Sequence, residues 1–215
     1  MKKNKTDKPK LKKAPIIIII ELIVLFLFVG VVGYQIKKDF FTKEKEAINK
    51  VEEKDNIKEY GYTLDDRDTA LFKKEYNSLK ELLNKKEIDY KIYAETLTKM
   101  FVIDFYTLNN KFTSTDIGSL EFVHPDQLEN FKLNAGKTMY KGIKSNLYDD
   151  RVQELPTVIS TTLISNEPTS YIYNKKTYEA YKIKISWEYD KDLGYEKEGT
   201  FICIKDNKKI YIVSK

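Results

Sequence analysis

The sequence predicts an α+β protein with one N-terminal transmembrane helix, a stalk helix, and an outer domain of helices packed on a curved antiparallel sheet. Three observations predict it. Ala14–Tyr34 (APIIIIIELIVLFLFVGVVGY) is the only long apolar run in the 215 residues. Between about residue 65 and residue 109, apolar side chains recur at helical spacing. From Thr157 onward, β-branched and alternating stretches take over.

The apolar run comes first. From Ile16 to Gly33 only Glu21 is polar. A helix of that length spans about 27 Å, close to a hydrocarbon core of about 30 Å. A cleaved secretory signal would have a shorter core and small residues at its end, whereas here Tyr34-Gln35-Ile36-Lys37-Lys38 follows. Residues 14–34 are therefore expected to span the membrane. Lys2, Lys3, Lys5, Lys8, Lys10, Lys12 and Lys13 precede the run against Asp7 alone. Basic flanks stay cytoplasmic, so the tail 1–13 is expected inside and everything beyond about residue 37 outside. Glu21 is costly in lipid and is expected near the headgroups, protonated, or against a partner helix.

Residues 35–62 are charge-dense, with Ile36, Phe40, Ile48 and Val51 on roughly one helical face. They predict a stalk or linker helix that can self-associate, ending at Tyr60-Gly61-Tyr62. Residues 63–215 predict the outer domain. Asp65 or Asp66 is a candidate cap for a helix running to about Asn84 with Leu71, Phe72, Tyr76, Leu79, Leu82 and Leu83 as its stripe. A longer helix, Asp89 to about Asn109, is apolar around most of its second half and should be central. A polar loop, 109–118, follows. His124-Pro125-Asp126 then starts a short helix, since Pro suits a first turn, and Gly136 is placed to end it. Thr157–Ile164, a turn at Asn166-Glu167-Pro168, Thr169–Tyr173, Thr177–Tyr189, Tyr195–Ile204 and Ile210–Val213 read as an antiparallel meander. With sixteen Tyr and eleven Phe, its core is expected to be aromatic-rich.

The composition narrows the function. The net charge of +5 resides mostly in the tail, so it argues for membrane topology and anionic lipid heads, and no nucleic-acid partner is expected. Cys203 is the only cysteine, so no intrachain disulfide forms and the core must suffice. His124 is the only histidine, which excludes a metal site of several histidines, and no G-x-S-x-G elbow, H-E-x-x-H or Gly-rich phosphate loop occurs. Asp190–Gly194 (DKDLG) only hints at a calcium loop. No cofactor and no catalysis are expected. Asp104, inside the apolar stretch, with Tyr106 and Trp187, is a candidate lining of a ligand pocket between the long helix and the sheet. The bland alternative for Asp104 is a carboxylate held by a Tyr hydroxyl or a Lys, for His124 a capping role, and for Cys203 packing. An enzyme built on Asp104 and His124 would require both in one open pocket.

The long aromatic helix KIYAETLTKMFVIDFYTLNN, the stretch SLEFVHPDQLENF and the strands from Thr157 to Ser214, behind a tail, one span and a stalk, give a plan that resembles the bitopic VirB-type scaffold proteins of conjugative type IV secretion and their Gram-positive counterparts. The likeness covers about residues 65–215 in architecture, without a signature motif. It implies a nuclear-transport-factor-2-like cone outside the membrane and a non-catalytic scaffold role with envelope protein partners and a possible homo-oligomer. The alternative is a membrane-anchored binding module for a small ligand or a cell-wall component, because this fold serves several functions.

Overall fold

The computed structural model describes residues 13–49 and 51–215 and, within the first helix, the side chains of residue 19 and residues 21–43. The fold is α+β and divides into two compact units, 1–46 and 47–215.

The first unit is dominated by α1 (Lys13–Asn49), a single helix of 37 residues. At 1.5 Å per residue that is about 56 Å. Every described side chain from Glu21 to Lys43 is exposed, Phe26 by 80%. Among the described residues no helix is long and apolar enough to cross a membrane. Residues 14–18 and 20 of the apolar run lie outside the described side chains. Counted from Glu21, eighteen residues already include Glu21, Lys37 and Lys38.

The helix expected over residues 35–62 stops at Asn49, short of the Tyr60-Gly61-Tyr62 break. In its place stands a hairpin, β1 (Glu53–Ile57) paired antiparallel with β2 (Tyr62–Asp65). Its turn contains Gly61 at φ 67°, where a side chain would be strained. The hairpin is fixed by burial of Tyr62 and Leu64 in the main core, which outweighs the polar EKDNI sequence of β1.

Helix α2 (Ala70–Leu83) is capped by Thr69, whose side chain accepts from the Phe72 amide at 3.1 Å, and not by Asp65 or Asp66. It buries Phe72, Tyr76, Leu79 and Leu82, four residues of the expected stripe. Helix α3 (Tyr90–Tyr106) is capped by Asp89 and is buried on nearly all sides, with Tyr93, Leu97, Met100, Val102, Ile103 and Tyr106 fully enclosed. It packs on α2 and on the sheet, and so forms the centre of the domain. Two short turns follow, 120–122 and 125–127, and then α4 (Leu128–Lys137), which passes through Gly136.

Four strands close the domain in the order β3-β4-β5-β6, an antiparallel meander. They are β3 (Val158–Tyr173), β4 (Lys176–Tyr189), β5 (Glu198–Asp206) and β6 (Lys209–Ser214). The turn expected at Asn166-Glu167-Pro168 is absent: β3 runs through it, with Pro168 opposite Tyr181. An edge strand tolerates a residue with no amide to donate. The alternation of β4 is as expected, with Tyr181, Ile183, Ile185 and Trp187 all buried. On the far edge of the sheet, Val123 forms a parallel bridge to Ile212, and the His124 amide donates to the Ile212 carbonyl at 3.2 Å.

Candidate functional site

Asp104 sits half a turn before the end of α3, on a helix with almost no exposed face. The loop after the helix returns to meet it. Lys111 Nζ contacts Asp104 Oδ1, and the Ser119 amide donates to Oδ2. The Ser119 hydroxyl lies 3.0 Å from both Asp104 Oδ2 and the Phe101 carbonyl. Tyr140 donates its hydroxyl to the Phe105 carbonyl at 2.8 Å and accepts from the Gly118 amide at 3.2 Å. Two carbonyls of the last turns of α3 are thus bonded by side chains, as a buried helix end requires. The Lys111 side chain is only 4% exposed and that of Asp104 16%. Burial would push the Asp104 carboxyl up, but the Lys111 charge and the Ser119 donors more than offset it and hold it below the ordinary carboxylate range.

More charge surrounds this pair. Arg67 donates to Asp116 at 2.7 Å, and its guanidinium lies 5.0 Å from the Phe112 ring centre. Asp116 also accepts from the Phe112 amide at 2.8 Å, and Asp65 accepts from the Arg67 amide at 2.8 Å. Asp68 accepts from the Asp65 amide at 2.7 Å. Glu121 accepts from the Thr63 hydroxyl at 2.9 Å and from its amide at 3.2 Å. Together these side chains line one polar cleft of about 250 Å³. Burial pushes the Asp68 carboxyl up to about 7, with the Asp65 and Asp104 charges adding to it. Burial likewise pushes Glu121 up to about 8, with Asp104 as the adverse neighbour.

No protein-family model, curated protein or solved structure matches this chain.

Of the three expected pocket residues, Asp104 alone lines this cleft. Tyr106 and Trp187 are core: the rings stack with centres 4.4 Å apart, and neither is more than 2% exposed. The Tyr106 hydroxyl donates to Glu196 at 2.9 Å. Through that bond Tyr106 holds the turn between β4 and β5. His124 is apart from Asp104 and is not among the residues lining the cleft. Its ring lies between Tyr173 and Tyr211, with Nδ1 accepting from the Asp126 amide at 3.3 Å, the capping role. Cys203 is buried beside the Thr98 hydroxyl at 3.2 Å, and burial pushes its thiol up to about 12. In the 190–194 turn, Asp192 pairs with Lys197 at 3.0 Å. Among the described residues no cluster of His, Cys, Asp and Glu is arranged to hold a metal ion.

Asp68, Arg67, Asp116 and Glu121 were not marked by the sequence. The one signal was a pair of carboxylates, Asp116 and Glu121, flanking the Gly118-Ser119 step. A second cavity, of about 340 Å³, is lined by Phe101, Phe105 and Phe131 together with Gln127, Asn130 and Asn134. It lies between α3, α4 and β6.

Proposed function

We propose that this chain is a non-catalytic, membrane-anchored interaction or scaffold protein of a bacterial envelope or conjugation assembly. Its tail lies in the cytoplasm and its α+β domain outside the membrane. The observation that carries the reading is that the three candidate reactive side chains, Asp104, His124 and Cys203, are each held in structural contacts. Asp104 is neutralised by Lys111 and Ser119, His124 caps a turn, and Cys203 is enclosed beside Thr98. A nucleophile with an adjacent base, the minimum for covalent catalysis, is not formed by these residues. The apolar run of residues 14–34 supports the anchor, and its basic flank supports the orientation. Helices packed on a four-stranded antiparallel meander are compatible with the nuclear-transport-factor-2-like cone of the VirB-type scaffolds. In vivo crosslinking followed by affinity purification tests the reading. Recovery of envelope proteins or of a second copy is the expected result, and recovery of the monomer alone would overturn it.

A second reading, an anchored binding module for a small ligand or a cell-wall component, is favoured by the cavity between α3, α4 and β6. Its lining combines three Phe with the side-chain amides of Gln127, Asn130 and Asn134, a mix that suits a ligand site. Soluble cell-wall fragments that perturb the resonances of Asn130 and Asn134 would support it over the scaffold reading.

A further inference from the structure

The cleft around Asp104 has a property that neither reading uses. It brings together strand β2 with the turn that follows it and the loop after α3, and the side-chain links between these segments run mostly through ionisable groups. Thr63 is bound by Glu121, and Arg67 by Asp116. The Asn110 side chain adds a bond to the Arg67 carbonyl at 3.2 Å.

Five carboxylates line the cleft, Asp65, Asp68, Asp104, Asp116 and Glu121, against two cations, Arg67 and Lys111. Both cations are engaged, Lys111 by Asp104 and Arg67 by Asp116 and Asp65. Among the described residues, neither Asp68 nor Glu121 forms an ion pair. Asp68 faces Asp65 on its own segment, Asp104 on α3 and Lys111 on the loop. Glu121 faces Asp104 on α3 and Lys209 on β6, with the phenols of Tyr62 on β2 and Tyr76 on α2 in its field. Each would add a second negative charge beside an ionised Asp104, and an adjacent like charge disfavours ionisation.

We propose that Thr63–Asp68 and Asn110–Glu121 form a proton-gated clamp, closed while Asp68 and Glu121 carry protons and loosened once both ionise. Protonated, each still has an oxygen to accept from the Asp65 or Thr63 amide, and the cleft's charges nearly cancel. Ionised, both repel Asp104, and water must enter to solvate them. The direction follows from five carboxylates sharing one cleft with two cations that are already paired, and the raised pKa values of about 7 and about 8 agree with it. Stabilisation by the clamp is fully present below the ordinary carboxylate pKa and is lost as pH rises through those values. The core of α3, which lacks these groups, stays shut throughout.

The test is hydrogen–deuterium exchange of the full chain in detergent micelles, read as protection factors between pH 6 and pH 9 so that intrinsic base catalysis cancels. Protection of residues 62–68 and 110–121 is expected to fall on the order of tenfold or more, with residues 97–106 unchanged. In an Asp68→Asn, Glu121→Gln double variant the fall is expected to vanish. Protection that is independent of pH in the wild type, or equally dependent in the variant, would overturn the proposal. Infrared spectra of the wild type need no variant. A protonated-carboxyl band present at pH 6 and gone by pH 9 is expected, and its absence at pH 6 would also overturn the proposal.

Discussion

Gly118 lies so close to Asp104 that a methyl group added to the glycine would be 2.7 Å from both carboxylate oxygens. No real carbon sits there, and the atom met is not the far end of a flexible chain but a buried carboxylate fixed by Lys111 and Ser119. The absence of a side chain at 118 is therefore a condition of the site. Gly118→Ala is expected to cost about 1–3 kcal/mol in chemical denaturation, by displacing Asp104 from its donors. Gly136→Ala is the control. That position lies inside α4 with only ordinary contact to the Ser114 carbonyl at 3.9 Å, so the change is expected to be neutral or to stabilise by about 0.5–1 kcal/mol.

Removing the cation is expected to cost more than removing the pair. Lys111→Met leaves Asp104 buried beside Asp68 and Glu121 without a positive partner. The expected loss is about 3–5 kcal/mol by urea unfolding. The double variant with Asp104→Asn should recover part of that loss, because the uncompensated charge is then gone. A double variant no more stable than Lys111→Met would contradict the pairing.

Stability against pH has two limbs of opposite sign. Asp104 has a lowered pKa in the folded state, so its stabilisation is present above about pH 4 and is lost as pH falls through the folded value. Asp68 and Glu121 have raised pKa values, so their contribution is lost as pH rises through about 7 and 8. A maximum on the acid side of neutrality is expected. Asp104→Asn should flatten the acid limb and shrink the alkaline limb without abolishing it, because burial still raises Asp68 and Glu121 once the Asp104 charge is gone.

Cys203 should report global opening. The thiol is buried and pushed up to about 12, so almost none is thiolate at neutral pH. Alkylation at pH 8 is expected to follow the unfolding equilibrium and to accelerate with urea. Rapid alkylation of the native protein would place Cys203 on a surface and contradict the packing of β5 on α3.

What the sequence made legible was set by burial. Helices α2 and α3 and strand β4 bury regular faces, and their periodicity could be read directly. Strand β1 (EKDNI) could not, because two of its five residues are exposed and its partner β2 supplies the buried Tyr62 and Leu64. Pro168 reads as a turn breaker but sits opposite Tyr181 on an edge strand, where a residue with no amide to donate is tolerated. Asp104 was visible as an acid in an apolar helix, and the Lys that holds it was foreseen in kind. Tyr106 and Trp187 were expected to line a cavity between the long helix and the sheet, whereas the two rings stack on each other and are both buried in the core. The rest of the cleft comes from residues up to 58 positions apart, brought together by a loop whose course no local pattern specifies.

The central claim is an anchored domain outside the membrane, and single-cysteine labelling of intact cells tests it most directly. Cys203 is first replaced by Ala. One variant then carries Asn4→Cys in the basic tail and another Val152→Cys, whose native side chain is 94% exposed on the domain. With a membrane-impermeant maleimide, the account expects labelling at position 152 in intact cells and at position 4 only after lysis. Labelling at 4 with protection at 152, or recovery of the full-length chain in the aqueous fraction, would contradict it.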